Sequence, residues 1–160
     1  MVGEDGWADG RYGDYHNSQV VLNDSLLIAD LFQQKIVSRA SLLNKMHHLA
    51  DADANRLQER IEQALALYQP KKIIILTHVP PFKEACQYQG KVSNDDWLPY
   101  FTSKAIGDVL MVCAQAHKAT EFLVLCGHTH SYADYQPLYN LIVKVGCAKY
   151  YEPEIQFQVF

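Results

Sequence analysis

Residues 71–82, KKIIILTHVPPF, decide the fold. Four apolar residues, three of them β-branched, form a short run of the kind that makes a strand buried on both faces. The run then ends in a histidine, His78, and two prolines. A second stretch, residues 123–131, LVLCGHTHS, has the same plan: an apolar run, a glycine at 127, then His128 and His130. In α/β sheets, ligands and catalytic groups collect at the carboxyl ends of strands. If the two strands are neighbours, their exits bring three imidazoles together. Extended backbone through the pair would point His128 and His130 the same way. Gly127 is expected to allow a sharp bend, and Pro80 and Pro81 to stiffen the turn at His78. A lone histidine at a strand end is more often a hydrogen-bonded side chain than a ligand. The matching context of three makes a metal site the stronger expectation.

Outward from these strands, the order of elements predicts an α/β layered domain over residues 1–160. The first stretch, GEDGWADGRYGDY, carries glycine at 3, 6, 10 and 13 and reads as loop. Residues 25–68 show apolar positions at intervals of three and four, the pattern of amphipathic helices. Breaks are expected near residues 38–41 and 51–53, and Asp24 is the expected N-cap of the first helix. An irregular segment spans residues 79–101, and a helix spans residues 103–117. Residues 122–126, LIVKVG (141–146) and IQFQVF (155–160) then read as strands, with a turn over residues 132–137.

Composition narrows the function classes. The chain is 49% hydrophobic and 20% charged, ordinary for a globular domain. A net charge of −4 with no basic run argues against a nucleic-acid surface. No apolar stretch has the length of a membrane span, and the N-terminus lacks the basic start and apolar core of a secretory signal. The expected location is cytoplasmic. Cys86, Cys113, Cys126 and Cys147 form no C-x-x-C pair and read as reduced, buried thiols.

With THVPP (residues 77–81) and GHTH (residues 127–130) in that order, each at a strand exit, the chain resembles the calcineurin-like metallophosphoesterases. The resemblance covers the C-terminal portion of such an enzyme. It implies part of a sandwich of two β-sheets flanked by helices, with a dinuclear centre of manganese, iron or zinc. It also implies that His78 and His128 hold one metal, that His130 holds the other, and that the substrate is a small phosphate ester. Of the family's earlier motifs, G-D-x-x-D and G-N-H-[DE] do not occur in this sequence, and the one D-x-H string, Asp14-Tyr15-His16, lies in the Gly-rich loop and not after an apolar strand. Those motifs carry the bridging carboxylate and the histidine that assists the leaving group, so the catalytic residues are unassigned. The isolated chain is therefore expected to bind metal weakly and to turn over esters poorly or not at all. Two readings stand beside the enzyme. One is an inactive metal-binding or regulatory module; the other is one half of a split enzyme, self-associating or paired with a complementing N-terminal half. Trp97 and Tyr100, between the two motifs, are candidates for stacking on substrate.

Overall fold

The computed structural model describes residues 1–155; of IQFQVF, residues 156–160 lie outside the described residues. The elements are β1 (Val2–Gly3), α1 (Asp24–Leu27), α2 (Ala29–Val37), α3 (Arg39–Tyr68), β2 (Lys72–Leu76), β3 (Gln87–Tyr88), β4 (Lys91–Val92), α4 (Leu98–Phe101), α5 (Lys104–Ala116), β5 (Glu121–Cys126), β6 (Ala133–Leu138) and β7 (Leu141–Val145). A five-stranded sheet runs β1-β2-β5-β7-β6, and β3 and β4 form a separate ribbon. β1, β2, β5 and β7 are mutually parallel, whereas β6 pairs antiparallel with β7. The protein is thus a mixed α/β structure.

Helices α3 and α5 each lie in a crossover between parallel strands, β1 to β2 and β2 to β5. Each crossover steps in the same direction across the sheet, and a uniform hand then puts both helices on one face. Ile73, Ile75, Phe122, Val124, Leu141, Val143 and Val145 point into that face and meet Leu57 and Ile61 of α3 and Ile106 and Leu110 of α5. The other face is less covered than expected. Ile74, Leu125 and Ile142 are half-buried, and Leu76 is 41% exposed. The IIIL run is therefore one-sided among the described residues, its alternate side chains filling a single core.

Helix α3 passes residues 51–53 without a break. Ala50, Ala52 and Ala54 favour helix there, and Asp53 spends its carboxylate on the Gly6 N–H, 3.1 Å away, instead of competing for its own backbone. The break at Ser38 does occur: its hydroxyl accepts from the Ser41 N–H at 2.9 Å and caps α3. Asp24 is not a cap but the first residue of α1, which follows Asn23. At the far end of α3, Gln69 takes a left-handed φ of 42° before Pro70.

Residues 132–137, read as a turn, are mostly strand β6. Their Pro, Asp and Gln content suits an edge strand, and the ladder shifts register between Tyr135 and Leu138, where Pro137 sits. Cys86 and Cys113 are buried free thiols and Cys126 is partly buried, but Cys147 is exposed because it follows the end of β7. No helix among the described residues is long and apolar enough to cross a membrane.

Gly107 shows how tightly α5 abuts the turn that carries His78. A Cβ there would stand 2.2 Å from the Pro81 carbonyl oxygen, a backbone atom held between buried neighbours. Alanine normally favours a helix interior over glycine by roughly 0.5–1 kcal/mol. Here Gly107→Ala is expected to destabilise by about 1–3 kcal/mol, because α5 must move off the turn. Urea unfolding with an unchanged m-value measures it; a stabilised variant would show that the contact is not tight.

Candidate metal centre

Parallel register places the two motifs side by side. Leu76 pairs with Leu125 at the carboxyl ends of β2 and β5. Beyond the ladder, the Thr77 N–H donates to the Leu125 carbonyl (3.1 Å) and the Gly127 N–H donates to the His78 carbonyl (2.9 Å). The exit of β1 joins them, since the His78 N–H donates to the Asp5 carbonyl at 2.9 Å. Asp5, His78 and His128 thus leave three adjacent parallel strands on one rim, where the topology predicts a site.

His78 Nε2 and His128 Nδ1 are 3.0 Å apart. His128 Nε2 lies 3.2 Å from the Tyr100 carbonyl oxygen. A carbonyl only accepts, so His128 carries its proton on Nε2 and presents the Nδ1 lone pair to His78. Without a metal, His78 Nε2–H donates to that lone pair. Burial, aided by the neighbouring His78, lowers the pKa of His128 to about 4. His78 keeps an exposed edge, but lost hydration lowers its pKa too, against the opposing pull of Asp24 and Asp5. Both rings are accordingly neutral at pH 7, the state in which imidazole is a ligand.

Aromatic rings hold this pair. Trp7 stacks on His78 with centroids 5.0 Å apart and planes 10° from parallel, and its ring also meets His128 edge-on at 5.3 Å. Phe101 lies 4.5 Å from His128 on another side.

The donor set fits one metal edge. Two imidazole nitrogens, each about 2.0–2.1 Å from a tetrahedral ion, stand roughly 3.3 Å apart, so the hydrogen-bonded pair at 3.0 Å needs to open by only a few tenths of an ångström to share one. The Tyr100 carbonyl supplies the outer hydrogen bond that metal-binding histidines normally have. The third histidine does not join them. His130 is exposed, and its ring lies 5.0 Å from Tyr150. Among the described residues, no three His, Cys, Asp or Glu side chains form a cluster able to hold an ion. Strand alternation fails for a specific reason: β5 ends at Cys126, and His128 and His130 have φ of 68° and 52°. The left-handed positions are the histidines, not Gly127, around which a Cβ would find open space. Each such non-glycine position costs roughly 1–2 kcal/mol, a strain concentrated at the motif.

Tyr100 also borders a cavity of about 200 Å³ that opens beside Trp7 and is enclosed by the early loop, α2 and the first turns of α3. Trp97 does not line it; its ring packs on Phe101 at 5.5 Å. Residues with no motif to mark them border it as well: Trp7, Asp24, Lys35 and Arg39.

Asp9 anchors the loop that carries Trp7. Fully buried, its carboxylate accepts from the Ala105 N–H (2.9 Å) at the start of α5 and from the Arg11 N–H (3.0 Å). Burial outweighs these bonds and raises its pKa. The folded state therefore binds this proton more tightly than the unfolded chain, and Asp9's contribution to stability grows as pH falls through the raised pKa toward the ordinary carboxylate value. The margin by which the native chain out-melts Asp9→Asn is expected to widen as pH falls from 7 toward the ordinary carboxylate value. A constant margin would mean that Asp9 does not titrate differently on folding.

No protein-family model matches the chain, and no curated protein matches it.

Proposed function

We propose that the chain supplies the histidine wall of a divalent-metal phosphoesterase site, as one sheet of a metallophosphoesterase sandwich. His78 Nε2 and His128 Nδ1 hold one ion, and His130 is assigned to the second. The observation that carries this reading is the 3.0 Å approach of two neutral imidazole nitrogens at adjacent strand exits. Manganese, iron and zinc all accept such ligands. A bound divalent ion supplies Lewis acidity, drawing charge from phosphoryl oxygens and acidifying water. The chain's own residues orient and exclude. Tyr100 fixes the His128 tautomer, Trp7 and Phe101 brace the rings and keep water from one side, and Tyr100 faces the space where a leaving group would lie. The substrate on this reading is a small phosphate ester.

One observation favours a complementing partner over a self-sufficient enzyme. The sheet face opposite α3 and α5 is incompletely covered, with Ile74, Leu125 and Ile142 half-buried and Leu76 41% exposed; on α1 and α2, Leu27, Ile36 and Val37 are 79%, 70% and 69% exposed. A partner packed on the sheet face could bring the carboxylates of the absent G-D-x-x-D motif.

The test is Mn²⁺ binding followed by electron paramagnetic resonance, with and without inorganic phosphate. Weak binding that tightens with phosphate and is lost in His78→Ala supports the reading. Absence of Mn²⁺ and Zn²⁺ binding by the native chain, or retention in His78→Ala, refutes it.

A further inference from the structure

The cavity beside the histidines has a charge pattern that no part of the metal site requires. Its walls are apolar and aromatic, with Trp7, Tyr15, Leu31 and Met46 among them, yet two cations border it, Lys35 and Arg39. Lys35 Nζ makes one hydrogen bond, 2.9 Å to the Ser25 hydroxyl. Arg39 spends Nη2 on the Ser18 carbonyl at 2.8 Å, the Tyr15 carbonyl and the Tyr100 hydroxyl at 3.2 Å, and lies 4.8 Å over the Tyr15 ring. Neither has an ion-pair partner among the described residues, although Lys45, on the same helix as Arg39, pairs with Asp30. Asp24 is the only carboxylate on the wall. Two cations against one acid leave the cavity with a positive excess and with donors still free on the Lys35 ammonium.

From this we infer that the cavity binds a small organic acid: a body of about one ring, with a carboxylate held by Lys35 and Arg39. Size sets the scale. A closed cavity of about 150 Å³ accepts benzene, so this one of about 200 Å³, open on one side, accepts a substituted ring. Apolar walls with a few converging polar groups are the usual make-up of a small-molecule site. Identifying this acid with the leaving group of the ester rests on the phosphoesterase reading; its binding does not. The substrate is then a phosphorylated small hydroxy acid. Hydrolysis breaks its phosphorus–oxygen bond, water giving the hydroxyl to phosphorus and the proton to the departing oxygen, which leaves the hydroxy acid and phosphate.

The experiment titrates the metal-free full chain with benzoate and with benzyl alcohol by calorimetry. Benzoate is expected to bind at least ~10-fold more tightly, since a charge-assisted hydrogen bond carries the difference. Lys35→Gln should lose most of that preference and Lys35→Arg should keep it, each with a native melting curve. Equal binding of the two probes, no binding of benzoate, an unchanged preference in Lys35→Gln, or a lost preference in a folded Lys35→Arg would overturn the inference. Should Lys35→Gln fail to fold, the two probes on the native chain and Lys35→Arg still decide it. Mn²⁺ binding without benzoate binding sinks this inference alone; benzoate binding without Mn²⁺ binding sinks the phosphoesterase reading alone.

Discussion

Substituting His128 by alanine is expected to weaken binding of Mn²⁺ or Zn²⁺ by at least ~10-fold, since even residues that only hydrogen-bond to a metal's ligands cost about 10–100-fold when lost. Among the described residues, His128 is half of the one imidazole pair in hydrogen-bonding contact, 3.0 Å from His78. Its removal also leaves His78 without the lone pair it donates to. Stability should change little by comparison, because the residue lies in a partly buried loop, outside the sheet core. Relief of its left-handed backbone does not come with alanine, which tolerates that region no better. His130→Ala should have the smaller effect on the first ion, since its ring lies by Tyr150. Calorimetric titration of the variants checks the order; equal losses for His128→Ala and His130→Ala would mean that both bind the same ion.

The largest loss of stability is expected at Phe122. Among the described residues it is the largest fully buried side chain, set on β5 between β2 and β7. Phe122→Ala removes its transfer free energy and leaves a cavity, together about 3–5 kcal/mol. For a chain of this size, each kcal/mol lowers the melting temperature by about 2–4 °C. A drop of roughly 6–20 °C follows, and with it the register that joins the two motifs. Scanning calorimetry measures it. A drop below about 2 °C would place Phe122 outside the core.

The strands were legible because their chemistry is local. Three isoleucines in a row and the apolar residues before Gly127 specify extended, buried backbone wherever they lie. Helices α3 and α5 announced themselves by apolar spacing, which also marked the break near residues 38–41. Strand β6 was hidden because edge strands tolerate the same Pro, Asp and Gln that mark turns. The uninterrupted course of α3 was hidden too, since Asp53 finds its partner 47 positions away, at Gly6.

The candidate site divides in the same way. His78 and His128 follow from strand adjacency, which the apolar runs imply. Alternation does not hold past the end of a strand, so the orientation of His130 depends on φ values that letters do not encode. Trp7, Asp24, Lys35 and Arg39 carry no motif. They come from a loop and helices far in sequence from the histidines, and only tertiary packing brings them alongside.

Long-range proton–nitrogen NMR of the histidine rings, with and without Zn²⁺, tests the pairing of His78 and His128 most directly. The account predicts His128 protonated on Nε2 in the metal-free chain, with Zn²⁺ shifting His78 Nε2 and His128 Nδ1 together. His128 protonated on Nδ1, or rings that ignore Zn²⁺, would contradict it.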